Sequence, residues 1–122
     1  IDKRREEKNK SEVLHIVGDV KDKNCIIVDD IADTCGTLIN CANALIEDGA
    51  ASVRAYITHG VLSSDAEQRI INSNIEELVI SNSIQKKSQV SYTKDRQISL
   101  NNLLGETVRR VYNKESVSSL FY

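Results

Sequence analysis

The sequence predicts an α/β fold with a mainly parallel sheet flanked by helices. Three observations lead there. Short apolar runs suited to strands recur at residues 25–28 (CIIV), 53–58 (VRAYIT) and 77–81 (ELVIS). Between them lie longer stretches whose apolar residues repeat with the helical period. Boundaries carry Gly, Asn, Asp and Ser instead of proline, which is absent from all 122 residues, although average usage would give about six. Strands alternating with helices imply βαβ units, right-handed crossovers and parallel pairing.

Residues 1–12, IDKRREEKNKSE, carry nine charges and read as a solvated, mobile arm, so order is expected to begin after them. Residues 13–17, VLHIV, form a short β-branched run ended by Gly18-Asp19, and Lys21-Asp22-Lys23-Asn24 reads as a turn. The unbroken run at 25–28 suits a strand buried on both faces. Leu38, Cys41, Ala42, Leu45 and Ile46 then line one helix face, with Asp48-Gly49 as its stop. After the strand at 53–58, Ser64-Asp65-Ala66-Glu67 has capping-box spacing for a helix running to about Asn72. The strand at 77–81 follows, and a weaker one is expected near 90–92. Leu100, Leu103, Leu104, Thr107, Val108 and Val111 mark a last helix over 98–112, ahead of a serine-rich tail. The expected divisions are thus an arm (1–12), an α/β domain (13–112) and a tail (113–122).

Composition narrows the function classes. With 40% hydrophobic and 28% charged residues, the chain is an ordinary globular one without a run suited to a membrane span. A net charge of −2 gives no global attraction to nucleic acid or anionic lipid, so any anion has to be bound locally. Cys25, Cys35 and Cys41 are odd in number and lack C-x-x-C spacing, which supports neither a disulfide framework nor a zinc site and points to a reducing compartment. Ile1 is not an initiator residue, and the chain reads as part of something longer.

The chemistry concentrates in residues 26–38, IIVDDIADTCGTL, where carboxylates and small residues directly follow a buried run. In an open parallel sheet, ligands sit beyond the carboxyl ends of the strands. Gly36 lets backbone approach an anion, the helix starting near Thr37 offers unpaired N–H groups and a positive dipole end, and Thr34 and Thr37 add hydroxyls. Carboxylates repel phosphate, so Asp29 and Asp30 must face another part of the ligand, either sugar hydroxyls or a divalent cation bridging to them. A sugar phosphate fits this division. A lone Asp-Asp before small residues is usually an Asx turn and an N-cap; the longer pattern VDDxxDTxGT carries the ligand reading. No GxxxxGKS is present to support a Walker-type site.

VDDIADTCGT resembles the phosphoribosyl-diphosphate signature of type I phosphoribosyltransferase-like folds. The order KRR, IVGDVKDKNCIIVDDIADTCGTL, AYITHGVLS, ISNSI and VRRVYNKESVSSLF closely resembles the carboxyl-terminal half of the ribose-phosphate diphosphokinases (phosphoribosyl pyrophosphate synthetases) over essentially all 122 residues. The resemblance implies cytoplasmic, homo-oligomeric enzymes, often hexamers, that use magnesium (Mg2+) to transfer the diphosphoryl group of ATP to ribose 5-phosphate in nucleotide biosynthesis. It implies that Asp33, Thr34, Cys35, Gly36 and Thr37 hold the 5-phosphate, and that Asp29, with Asp30 beside it, holds the ribose hydroxyls. The family's catalytic loop carries a lysine and an arginine two residues apart, matched by Lys3 and Arg5, cations suited to charge spreading over a moving diphosphoryl group. Ser116, Ser118 and Phe121 match positions that contribute to a regulatory phosphate or nucleotide site in related enzymes. Most ATP contacts belong to the family's amino-terminal half, so this segment alone is expected to be inactive.

The chain departs from the family at Ser64-Asp65, where Gly-Pro is usual, and after Ile84, where proline is usual. Outside the resemblance, Lys3-Arg4-Arg5 reads as a solvated run, His59 as a structural histidine at a strand end, and 113–122 as a docking tail. Cys35 sits where a helix N-terminus could lower its pKa, but no base pairs with it. The alternatives are a type I purine or pyrimidine phosphoribosyltransferase, a signalling receiver domain built on IIVDD, and a non-catalytic regulatory paralogue of the synthetase.

Overall fold

The computed structural model describes residues 2–4, 13–85 and 94–122. Its elements are β1 (Asp2–Arg4), β2 (Val13–His15), β3 (Asn24–Ala32), α1 (Gly36–Glu47), β4 (Ser52–Gly60), α2 (Ala66–Ile71), β5 (Ile75–Ser81), β6 (Asp95–Ile98) and α3 (Asn101–Tyr112), followed by one 3₁₀ turn at Ser118–Leu120. Strands β3, β4, β5 and β6 pair in that order, all parallel, as the alternation of strand and helix predicts.

The sheet has one covered face. Along β4, Val53, Ala55 and Ile57 are buried while Arg54, Tyr56 and Thr58 are exposed, the period-two pattern of a strand packed on one side. Leu38, Cys41, Ala42 and Leu45 of α1 are buried and belong with Ala66 and Ile70 of α2 to the helical side of the core. Ala42, Ala55 and Ala66 are fully buried, and their small side chains let helix and sheet approach closely. The stop after α1 is as expected: Gly49 takes φ 94, and Ala50 N–H donates to Leu45 O at 2.9 Å.

Several expectations need correction. The run at 25–28 is not buried on both faces: β3 is an edge of the four-stranded sheet, leaving Ile26 55% and Val28 76% exposed. An apolar run predicts a strand, but only packing decides how many faces are covered. Of the expected arm, Asp2–Arg4 pairs antiparallel with Val13–His15 instead of standing free, because ladder hydrogen bonds use backbone groups that side-chain charge leaves available. The strand expected at 90–92 lies outside the described residues. Instead β6, Asp95–Ile98, pairs with β5, its polar sequence tolerated because Arg96 Nε meets Glu77 Oε1 at 2.7 Å across the edge. The capping box at Ser64 does not form. Asp65 is the N-cap of α2 without a side-chain cap bond, and Ser64 has φ 57, the left-handed region that the family's usual glycine would occupy freely. The last helix begins at Asn101, and none of its apolar stripe is buried.

Candidate functional site

Strand β3 continues past its apolar run to Ala32, so Asp29 and Asp30 lie within the strand and not beyond it, with Asp29 in register with Ile57 of β4. Neighbouring strand residues face opposite sides. Asp29 shares the side of Ile27, toward α1, and Asp30 the side of Val28, away from it. The two carboxylates that the sequence sets side by side are thereby separated by the sheet.

Beyond Ala32 the chain turns sharply into α1. Cys35, the N-cap, has φ 62, and the helix starts at Gly36 with no acidic residue in its first turn. Among the described residues, no acceptor is bonded to the backbone N–H of Cys35, Gly36, Thr37 or Leu38. These four donors and the positive end of the helix dipole are thus left open at the start of α1. Beside them lies a cavity of about 240 Å³ whose lining includes Asp29, Asp33, Thr34, Gly36, Thr37 and Ile57. Next to a liquid water's share of roughly 30 Å³, that is ample room for a phosphoryl group. A larger cavity of about 500 Å³, mostly apolar, meets it at Asp29, Thr37 and Leu38.

Each predicted residue has a distinct place. Thr34, Gly36 and Thr37 line the smaller cavity with Asp29, whereas Asp30 lines neither cavity. Asp29 Oδ1 accepts from the Asp30 N–H at 2.9 Å, leaving its second oxygen for other partners. Asp33 also lines the cavity, but its Oδ1 accepts a hydrogen bond from Ser63 Oγ, so one carboxylate oxygen is used within the protein. Cys35 is 5% exposed, and burial pushes its thiol up to about 11, against a smaller lowering by Arg69; this is opposite to what a helix N-terminus alone would give. The thiol is therefore protonated at neutral pH and unsuited to redox work. Lys3 stands in β1 opposite Leu14, and Arg5 lies outside the described residues.

The tail is tied to the end of α3, away from the cavity lining. Arg110 Nη1 donates to Ser116 O at 2.9 Å, the Ser116 and Ser118 hydroxyls are 2.9 Å apart, and Phe121 is 67% exposed. His59 Nδ1 lies 2.8 Å from Ser83 Oγ at the carboxyl edge of the sheet, a satisfied structural position. Sequence reasoning missed Ser63 and Arg69, which reach the loop from the β4–α2 segment. Neither carries a motif signal, because nothing local to them indicates which loop they touch.

Comparison with known proteins decides the family. The profile of the phosphoribosyl synthetase-associated domain matches residues 3–122. The chain belongs to that family. Among its relatives, the ribose-phosphate pyrophosphokinase of Caulobacter vibrioides is 52% identical over 122 residues, covering 99% of this chain and 39% of that protein. The ribose-phosphate pyrophosphokinase of Hyphomonas neptunium is 51% identical over the same shares. The crystal structure of phosphoribosylpyrophosphate synthetase from Mycobacterium smegmatis matches with a TM-score of 0.79 at 37% identity, over 88% of this chain and 35% of that one. This phosphoribosyl synthetase-associated domain thus spans 39% of the length of the curated relatives it matches. Among the described residues, no helix is long and apolar enough to cross a membrane, and no three His, Cys, Asp or Glu side chains gather as a metal site.

Proposed function

We propose that this domain is the ribose 5-phosphate-binding, carboxyl-terminal half of a cytoplasmic ribose-phosphate diphosphokinase, which makes phosphoribosyl diphosphate and AMP from ATP and ribose 5-phosphate. The observation that carries the reading is the uncapped start of α1 beside a cavity that also holds Asp29. Backbone amides of residues 35–38 bind the 5-phosphate, with the Thr34 and Thr37 hydroxyls as further donors. Asp29 accepts from the ribose hydroxyls, which orients the sugar so that its 1-hydroxyl can reach the β-phosphorus of ATP. Asp30, on the other side of β3, lines neither cavity and takes no part in this contact. Holding both ends of the sugar fixes the attacking oxygen, and positioning supplies much of the acceleration in phosphoryl transfer.

Lys3 and Arg5 are the catalytic cations of this reading, by the resemblance, and would stabilise charge on the diphosphoryl group in flight. The hard oxygen donor at Asp29 would suit magnesium held largely by substrate and water, and Mg2+ when bound would neutralise triphosphate charge. Homo-oligomeric assembly, as a hexamer, and a regulatory anion site using Ser116, Ser118 and Phe121 complete the reading; they follow from the family resemblance. The test is direct. The full-length protein containing this segment, supplied with ATP and ribose 5-phosphate, should release AMP in step with phosphoribosyl diphosphate. Base-dependent pyrophosphate release without AMP formation would replace the reading with a phosphoribosyltransferase.

A further inference from the structure

We propose that Arg69 is a positioning residue that sets the sugar-phosphate loop in its binding conformation, with Ser63 as its companion. The proposal rests on the ribose 5-phosphate reading above and adds how that site is held. Cys35 sits at φ 62 without a side-chain cap, in the left-handed region that is strained for a non-glycine residue. Something outside the loop must hold it there. Arg69 Nη1 donates to the Thr34 carbonyl at 2.9 Å. Because a peptide unit is planar and trans, fixing the Thr34 C=O also fixes the Cys35 N–H, which points the opposite way. That N–H is one of the four unpaired amides at the cavity.

The guanidinium also comes close to Gly36. A Cβ added at Gly36 would come within 3.3 Å of Arg69 Nη2, so glycine here serves the close approach of an arginine as well as that of an anion. The same segment grips the loop at two more points. Val61 and Leu62 N–H both donate to Ala32 O, at 2.9 and 3.1 Å, and Ser63 Oγ donates to Asp33. Arg69 forms no ion pair among the described residues, and its charge favours an anion at the loop.

The experiment uses the full-length protein with Arg69→Ala, Arg69→Lys and Gly36→Ala, and the double variant of Arg69→Ala with Gly36→Ala. Loss of a charge-assisted bond to a preorganised loop should raise KM for ribose 5-phosphate about 10- to 100-fold in Arg69→Ala, while KM for ATP stays within about twofold. Arg69→Lys should recover only part, since lysine lacks the planar fork. Gly36→Ala should lower affinity for ribose 5-phosphate in the wild-type background and cost clearly less beside Arg69→Ala, because the guanidinium it crowds is gone and only the hindrance to the anion remains. Equal rises in both KM values, or additive effects of the two substitutions, would overturn the proposal. If the wild type makes no AMP, the function reading fails on its own. The clamp is then judged by amide resonances of Cys35 and Gly36, which should move in Arg69→Ala while Val53 and Leu78 do not. Unmoved loop amides would sink it whatever the activity.

Discussion

Helices α1 and α3 are each 12 residues long, and their apolar periodicity is equally regular, yet they end up in opposite circumstances. In α1 the stripe is buried and the N-terminus is open. In α3 no residue is buried and the first two amides of the N-terminus are engaged: Leu100 N–H donates to Asn82 Oδ1 at 2.7 Å, and Asn101 N–H donates to Ser99 Oγ at 3.2 Å. The contrast separates two properties that a helix start is often credited with together. Any helix start has a dipole, but only one whose amides are left unsatisfied can offer them to a ligand. Here Cys35, which cannot cap, and Gly36, which leaves the backbone bare, keep α1 open, while Asn82 and Ser99 occupy the first two amides of α3.

The largest expected effect comes from destroying this difference. Thr37→Asp places a carboxylate in the first turn of α1, where no acid now stands, and should favour the helix by about 0.3–1 kcal/mol through its dipole. The same charge opposes a bound phosphate by on the order of 4 kcal/mol at an effective dielectric near 20, about a thousandfold in affinity. Calorimetric binding of ribose 5-phosphate to the full-length protein, beside thermal melting, should show the two signs together. Weakened binding with lowered stability would mean simple misfolding.

Next in size is the core contrast. Leu45 is 6% exposed and Leu104 is 56% exposed. In the 122-residue chain, Leu45→Ala should cost about 3 kcal/mol, whereas Leu104→Ala should stay within about 0.5 kcal/mol. Urea titration of both variants checks this. A comparable cost at Leu104 would show that α3 packs against a surface after all.

The smallest effect concerns the far end of α3. Hydrogen bonds from Arg109 and Arg110 hold the Glu106 carboxyl down to about 2, from an ordinary 4.5. A carboxyl depressed in the folded state contributes stability that is complete above pH 4.5 and disappears as pH falls toward 2. The α3–tail unit should therefore loosen over that window, modestly and less at high salt, because these groups are exposed. Amide exchange of Arg109–Lys114 against that of Cys41–Leu45 would read it. Loosening of α1 ahead of α3 would contradict the assignment.

Much of this was legible in the sequence. The strands at 25–28, 53–58 and 77–81, the α1 stripe with its Asp48-Gly49 stop, and the turn at 33–37 into α1 follow from local rules of period, turn chemistry and motif. What escaped depends on contacts distant in sequence. The strand β6, DRQI, is polar and forms because β5 offers a free edge and Glu77 a partner for Arg96. Asp30 turns from the cavity because β3 keeps its register with β4 four residues beyond its apolar run, something no single-strand pattern fixes. Arg69 is 35 residues from the carbonyl it holds. The stripe on α3 was read correctly as a helix, yet periodicity cannot say what, if anything, lies against it.

One measurement reaches the central claim, that backbone amides at the start of α1 bind the phosphate. Ribose 5-phosphate is titrated into the isotope-labelled full-length protein while the amide resonances of Cys35, Gly36, Thr37, Leu100 and Asn101 are followed. The first three should shift downfield and saturate together, with Leu100 and Asn101 unmoved. Saturable binding of the sugar phosphate that leaves Cys35, Gly36 and Thr37 where they were would contradict the account.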